Sequence, residues 1–115
     1  MDLSEYQSIK YDNEYFSGDA EWLHKRIYSF VKHFEKTLKD KEALIAQVIL
    51  NNGSSIRVNT FGYYQPDVIT IDGTDSNDKN VFLILPYNNI QIQFSIKTNE
   101  QETDKTKYSI GFKSY

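Results

Sequence analysis

The residues in this sequence whose types suit specific recognition are tyrosines and amides in two turn-rich stretches: Tyr63 and Tyr64 between Gly62 and Pro66, and Tyr87, Asn88 and Asn89 directly after Pro86. A tyrosine ring stacks on a nucleobase and an amide reads a base edge with one donor and one acceptor group, a combination that holds single-stranded nucleic acid with few charges. Arg57 is a cation that could assist, and Lys25, Arg26 and Lys32 form the densest positive cluster elsewhere in the chain. A plainer account competes: the tyrosines pack against an adjacent subunit, and the asparagines satisfy turn backbone, which their side chains do readily.

Other chemistries find less support. With no cysteine, the chain has no disulfide, thiolate nucleophile or cysteine zinc site. His24 and His33 are nine residues apart, which is neither an i,i+4 ligand pair nor part of a His-Glu-x-x-His pattern, so two surface histidines are expected. No Gly-x-Ser-x-Gly occurs, and Gly53-Ser54-Ser55 reads as the turn after a strand. Asp72, Asp75, Asn77 and Asp78 suggest calcium, but Thr74 and Ser76 occupy alternate positions and strand-like segments flank the loop, so a solvated hairpin tip is expected. Neither a phosphate-cradling Gly-x-x-x-x-Gly-Lys-Ser/Thr nor a Gly-x-Gly-x-x-Gly is present. The expectation is a protein that is not an enzyme and that uses no cofactor and no metal.

The elements that would position the tyrosines and amides follow from periodicity. A length of 115 residues suits one domain, and 39% hydrophobic, 25% charged and 15% aromatic residues describe a globular chain with large pieces of core. A formal charge of −3 argues against a whole-surface grip on nucleic acid, while leaving room for a local basic face. No apolar run approaches the roughly 20 residues that span a bilayer, and residues 1–10 lack the basic and then apolar pattern of a signal peptide, so no membrane association and a cytoplasmic location are expected.

Residues 1–18 scatter Tyr6, Tyr11, Tyr15 and Phe16 among acids without a sustained period and read as an irregular N-terminal arm. From Asp19, the residues Trp22, Leu23, Ile27, Phe30, Val31, Phe34 and Leu38 recur at three and four, which predicts a helix capped by the Asp19 carboxylate, with Glu21–Lys25 and Glu35–Lys39 ion pairs on its wet face. Six strands are then expected, over 43–50, 56–61, 68–71, 81–85, 90–96 and 108–112, separated by turn formers. The segment Val81-Phe82-Leu83-Ile84-Leu85 is apolar on both faces and is expected at the centre of the sheet. The last two strands alternate wet and dry, and a hairpin between them around 98–106 is expected. Strands without intervening helices predict an antiparallel, strongly bent sheet with the helix over one open side.

In order, a leading helix, Gln47-Val48-Ile49-Leu50-Asn51-Asn52-Gly53, Val58-Asn59-Thr60-Phe61 and Leu85-Pro86-Tyr87-Asn88-Asn89-Ile90 resemble the Sm-like proteins (Sm, LSm and Hfq) over about residues 19–96. The resemblance implies an α+β, mainly β fold: an N-terminal helix followed by a strongly bent antiparallel five- to six-stranded Sm-like barrel. It divides the chain into the arm 1–18, the helix and barrel 19–97, and a C-terminal hairpin extension 98–115. It also implies a homo-oligomeric ring and single-stranded RNA as the ligand class, with Tyr63, Tyr64, Tyr87, Asn88 and Asn89 as the nucleic-acid-binding residues. The chain departs from the family where Asp commonly follows the Phe, since Gly62 stands there, and Pro86 and Tyr87 replace the Arg-Gly of the second motif. Tolerant rather than uridine-specific binding follows. The rival expectation is a regulatory module that contacts a protein partner through its aromatic arm and last hairpin.

Overall fold

The computed structural model describes residues 18–98 and 109–115. The helix α1 (Ala20–Lys36) starts where the sequence places it, because Asp19 is extended and its Oδ1 accepts the Trp22 amide at 2.9 Å. Thr37 closes the other end, its hydroxyl donating to the Phe34 carbonyl at 2.8 Å. Ala20, Ile27 and Val31 turn one stripe of α1 into the core. Glu21 pairs with Lys25 at 3.1 Å as expected, whereas Glu35 is held by Lys32, at 3.3 Å, rather than by Lys39. Lys39 lies beyond the helix, where its amide donates to the Glu42 carboxylate.

Among the described residues six strands follow: β1 (Glu42–Ile49), β2 (Ser55–Tyr64), β3 (Val68–Thr74), β4 (Asn80–Pro86), β5 (Gln91–Thr98) and β6 (Gly111–Ser114). Turn chemistry sets the reversals. Gly53, at φ 87°, supplies the left-handed residue of the β1–β2 turn, and Asn52 Oδ1 accepts the Ser54 amide at 3.0 Å. At the β3–β4 tip Asp75 Oδ1 accepts the amides of Asn77 and Lys79 at 2.8 and 3.0 Å, so this aspartate organises a hairpin. The strands run β4-β3-β2-β1-β5, each antiparallel to its neighbour.

β2 is the hinge of the sheet. Its first residues pair with β1 (Gln47↔Arg57 to Ile49↔Ser55), a bulge interrupts its ladder with β3 between Val58 and Thr60, and beyond the bulge Thr60–Tyr63 pair with β6 in parallel. The extra residue bends the strand and increases its twist. Gly73, opposite Val58, is required there, because a Cβ would stand 2.7 Å from Ile56 Cγ2. Phe61, Ile69, Ile71, Val31 and Val48 fill the space between α1 and the sheet and are fully buried. Each such side chain stabilises the fold by about 1.5–3 kcal/mol relative to exposure.

Among the described residues the protein is therefore α+β and mainly β, a helix followed by an antiparallel sheet to which β6 adds in parallel. Two expectations are corrected. The apolar segment 81–85 lies in edge strand β4, not at the centre: Val81, Leu83 and Leu85 face the core half-buried, while Phe82 and Ile84 face outward. β6 does not form a hairpin with β5; it pairs with β2, where Phe112 packs on Phe61 at a ring separation of 5.9 Å. The arm apart from Gly18, and the loop 99–108, lie outside the described residues.

Candidate functional site

The β2–β3 and β4–β5 turns meet at one end of the sheet. The ladder runs Tyr64↔Val68↔Pro86, and the Tyr87 amide donates to the Asp67 carbonyl at 2.9 Å, so the second turn is tied to the first. The start of α1 joins them: the Ala20 amide donates to the Pro66 carbonyl at 2.8 Å, the Glu21 amide to Gln65 Oε1 at 2.9 Å, and Gln65 Nε2 to Asp19 Oδ2 at 3.1 Å. One cap thus serves two purposes, satisfying the helix amide with one oxygen and anchoring the β2–β3 turn with the other.

The expected site residues divide between faces. Tyr63 and Tyr64 end a strand rather than populating a loop, and successive strand residues point to opposite sides. Tyr63 turns inward, its ring 4.7 Å from that of His24, so its stacking surface is already engaged. Tyr64 turns outward, 60% exposed, and stacks on Tyr115 at 6.4 Å. Tyr87 packs half-buried against the core. Asn88 and Asn89 are exposed and, with Asn51 and Gln91, place amides around an open, predominantly polar depression of about 390 Å³ that Ile49, Leu50 and Ile90 also border. These amides offer paired donors and acceptors without charge, a lining suited to the edge of a neutral polar ring. Arg57 stands near the other end of β2, opposite Gln47 and Thr74, and so on the side of the β1–β2 turn rather than beside the tyrosines.

His24 corrects the expectation of a surface histidine. It is buried, its ring lies 5.5 Å from Phe112 as well as against Tyr63, and because a carbonyl only accepts, its Nε2–H donates to the Phe61 oxygen at 3.2 Å. Burial pushes its pKa below the ordinary 6.5, outweighing the Phe61 hydrogen bond and the Glu21 charge, which act the other way. The signal was present in the spacing His24, Ile27, Val31, at i, i+3 and i+7 on the buried stripe. The basic cluster on the helix is also less open than its sequence suggests: Arg26 is buried with its guanidinium 5.1 Å from the Trp22 ring centroid, and Lys25 and Lys32 each stand beside an acid.

Among the described residues no group of three or more His, Cys, Asp or Glu is placed to hold a metal ion, and no helix is long and apolar enough to cross a membrane. The geometry is that of a mainly β protein with a tied pair of turns and an amide-lined depression between the β4–β5 turn and the end of β1. No family model, curated protein or solved structure matches the chain.

Proposed function

We propose that this chain is a non-enzymatic Sm-like subunit that assembles with copies of itself and offers its turn end to single-stranded RNA. The observation that carries the reading is the Tyr87–Asp67 hydrogen bond, which ties the turn bearing the Asn88-Asn89 amides to the turn that follows the exposed Tyr64. Stacking supplies sequence-tolerant affinity, amides add base-edge contacts, and a lining without Lys or Arg among the described residues keeps the phosphate contribution small. Assembly is supported by the sheet itself: among the described residues β4 and β5 each pair on one side only, and edges of this length are covered or paired in stable proteins. Pairing β4 of one copy with β5 of the next is heterologous and closes into a ring when the rotation permits.

Fluorescence anisotropy with a labelled uridine- or adenine-rich oligonucleotide tests the binding. Tyr64→Ala is expected to weaken it by about 1–3 kcal/mol for each base stacked. Asn88→Ala should weaken it by about 1 kcal/mol, with a shallow dependence on salt. No binding at low salt, or binding that both variants retain in full, rejects the nucleic-acid reading. A second reading, a protein-interaction module without RNA binding, is favoured by the outward Phe82 and Ile84 of β4. Its contacts would be apolar and insensitive to salt.

A further inference from the structure

Nine asparagines occur in the chain, and only Asn52 is followed by a glycine. That pair suits one covalent reaction of the chain with itself. The amide nitrogen after an asparagine can attack the asparagine's own Cγ and close a succinimide ring, and the built-in proximity replaces the concentration that a bimolecular exchange would need. A side chain on the following residue crowds the approach and narrows the backbone angles, and glycine does neither.

The β1–β2 turn presents this pair openly. Asn52 and Gly53 are exposed, Gly53 has φ 87°, and the place a Cβ would take there has nothing within 4 Å of it. The Asn52 side chain folds back over the turn, because its Oδ1 accepts from two donors of Ser54, the amide at 3.0 Å and the hydroxyl at 2.6 Å. Both donors polarise the Cγ–Oδ1 bond, and both already face the oxygen on which negative charge develops when Cγ is attacked. The nucleophile is restrained: the Gly53 N–H donates to the Leu50 carbonyl at 2.9 Å and the Leu50 amide to the Ser54 carbonyl at 2.8 Å, so attack awaits a local opening of the turn. Asn51, Asn88 and Asn89 are also exposed, but each is followed by a residue that carries a Cβ.

We propose that Asn52 is a site of spontaneous deamidation, which places a carboxylate beside the amide-lined depression. A solvent or buffer base takes the Gly53 amide proton, the nitrogen bonds to Asn52 Cγ, and the Cγ–Nδ2 bond breaks as Nδ2 takes up a proton and leaves as ammonia. Water then opens the succinimide: addition at Cγ gives aspartate, and addition at the main-chain carbonyl gives isoaspartate, whose backbone is longer by one methylene. In sum one water is taken up and one ammonia released, with no change of oxidation state. The aspartate keeps the turn, since its carboxylate accepts from the same Ser54 donors with the help of charge, whereas isoaspartate shifts Gly53 away from Leu50. Leu50 and Asn51, the two preceding residues, border the depression, so each converted copy gains an acid at an uncharged rim.

Peptide mapping by mass spectrometry on the folded full chain in warm, mildly alkaline buffer tests this, with circular dichroism confirming the fold. Asn52 is expected to convert before every other asparagine, to a mixture of aspartate and isoaspartate. Gly53→Ala should slow the conversion at least about tenfold through the added Cβ. Ser54→Ala should slow it about two- to tenfold, the worth of one hydrogen bond to the developing oxyanion, and Ser54→Thr, which keeps the hydroxyl, should restore it. An Asn52 that stays an amide while another asparagine converts, or either alanine variant converting as fast as the wild type, overturns the proposal. The consequence for binding rests on the RNA reading: Asn52→Asp should weaken oligonucleotide binding at low salt relative to Asn52→Gln, which keeps a neutral amide. Conversion is read by mass alone, so a chain that binds no RNA rejects that reading without touching the chemistry at Asn52.

Discussion

His24 ties three elements together with one ring, and its chemistry sets how the protein responds to acid. The neutral imidazole donates to the Phe61 carbonyl from α1, while Tyr63 of β2 and Phe112 of β6 cover its faces. With the folded pKa below 6.5, the unfolded chain takes up a proton first as the pH falls, so stability is complete above about pH 6.5, declines below it, and levels off once the pH is under the folded value. Wild-type protein is expected to lose melting temperature between pH 7.5 and 5.5, above the range in which carboxylates titrate. His24→Gln, which keeps an amide donor and has no proton to gain, should flatten that part of the profile. Thermal denaturation across this range checks it, and parallel profiles for the two proteins would contradict the assignment.

At the scale of the element, β4 shows what apolar sequence does and does not say. Val81 to Leu85 are apolar at every position, and a strand covered on both sides and an edge strand with an exposed apolar face give the same string of letters. Only the pairing partner distinguishes them, and that partner is set by the whole sheet. The consequence for stability is measurable. Leu83→Ala is expected to cost about 1–2 kcal/mol, because Leu83 is half-buried on an edge, whereas Ile71→Ala, from a fully buried position in β3, should cost about 2–5 kcal/mol. Chemical denaturation of the two variants decides this, and equal losses would return β4 to the interior. Local features were legible for the opposite reason. The Asp19 cap, the Gly53 turn and the Asp75 hairpin are each made by residues within four positions of one another, so their chemistry is written contiguously. The Tyr63–Tyr64 pair was legible as recognition chemistry, but its division between two faces depended on the strand continuing through Tyr64, where turn formers nearby suggested a bend. The parallel pairing of β6 with β2 left no such trace, since alternation at Ile110 and Phe112 is the same whichever strand lies alongside.

For the whole molecule, the edges that β4 and β5 leave unpaired among the described residues predict how the mass of the protein varies with concentration. Edge pairing that closes a ring gives a fixed stoichiometry, so light scattering should show a plateau at one multiple of 13.5 kDa. The plateau should be little affected by salt where backbone hydrogen bonds and apolar area carry the contact. Mass that grows without limit would instead indicate an open filament. The parallel β6 has a further consequence, for the order in which the structure forms. Its partners, Thr60 to Tyr63, lie about fifty residues earlier, and the surface it lies against exists only after α1 and β2 have come together. Pairings of such long sequence separation follow the local hairpins β1–β2 and β3–β4 in time. Native-state hydrogen exchange would show that order in reverse: among the described strands the amides of Gly111 to Ser114 should open first, while the β2–β3 ladder still holds.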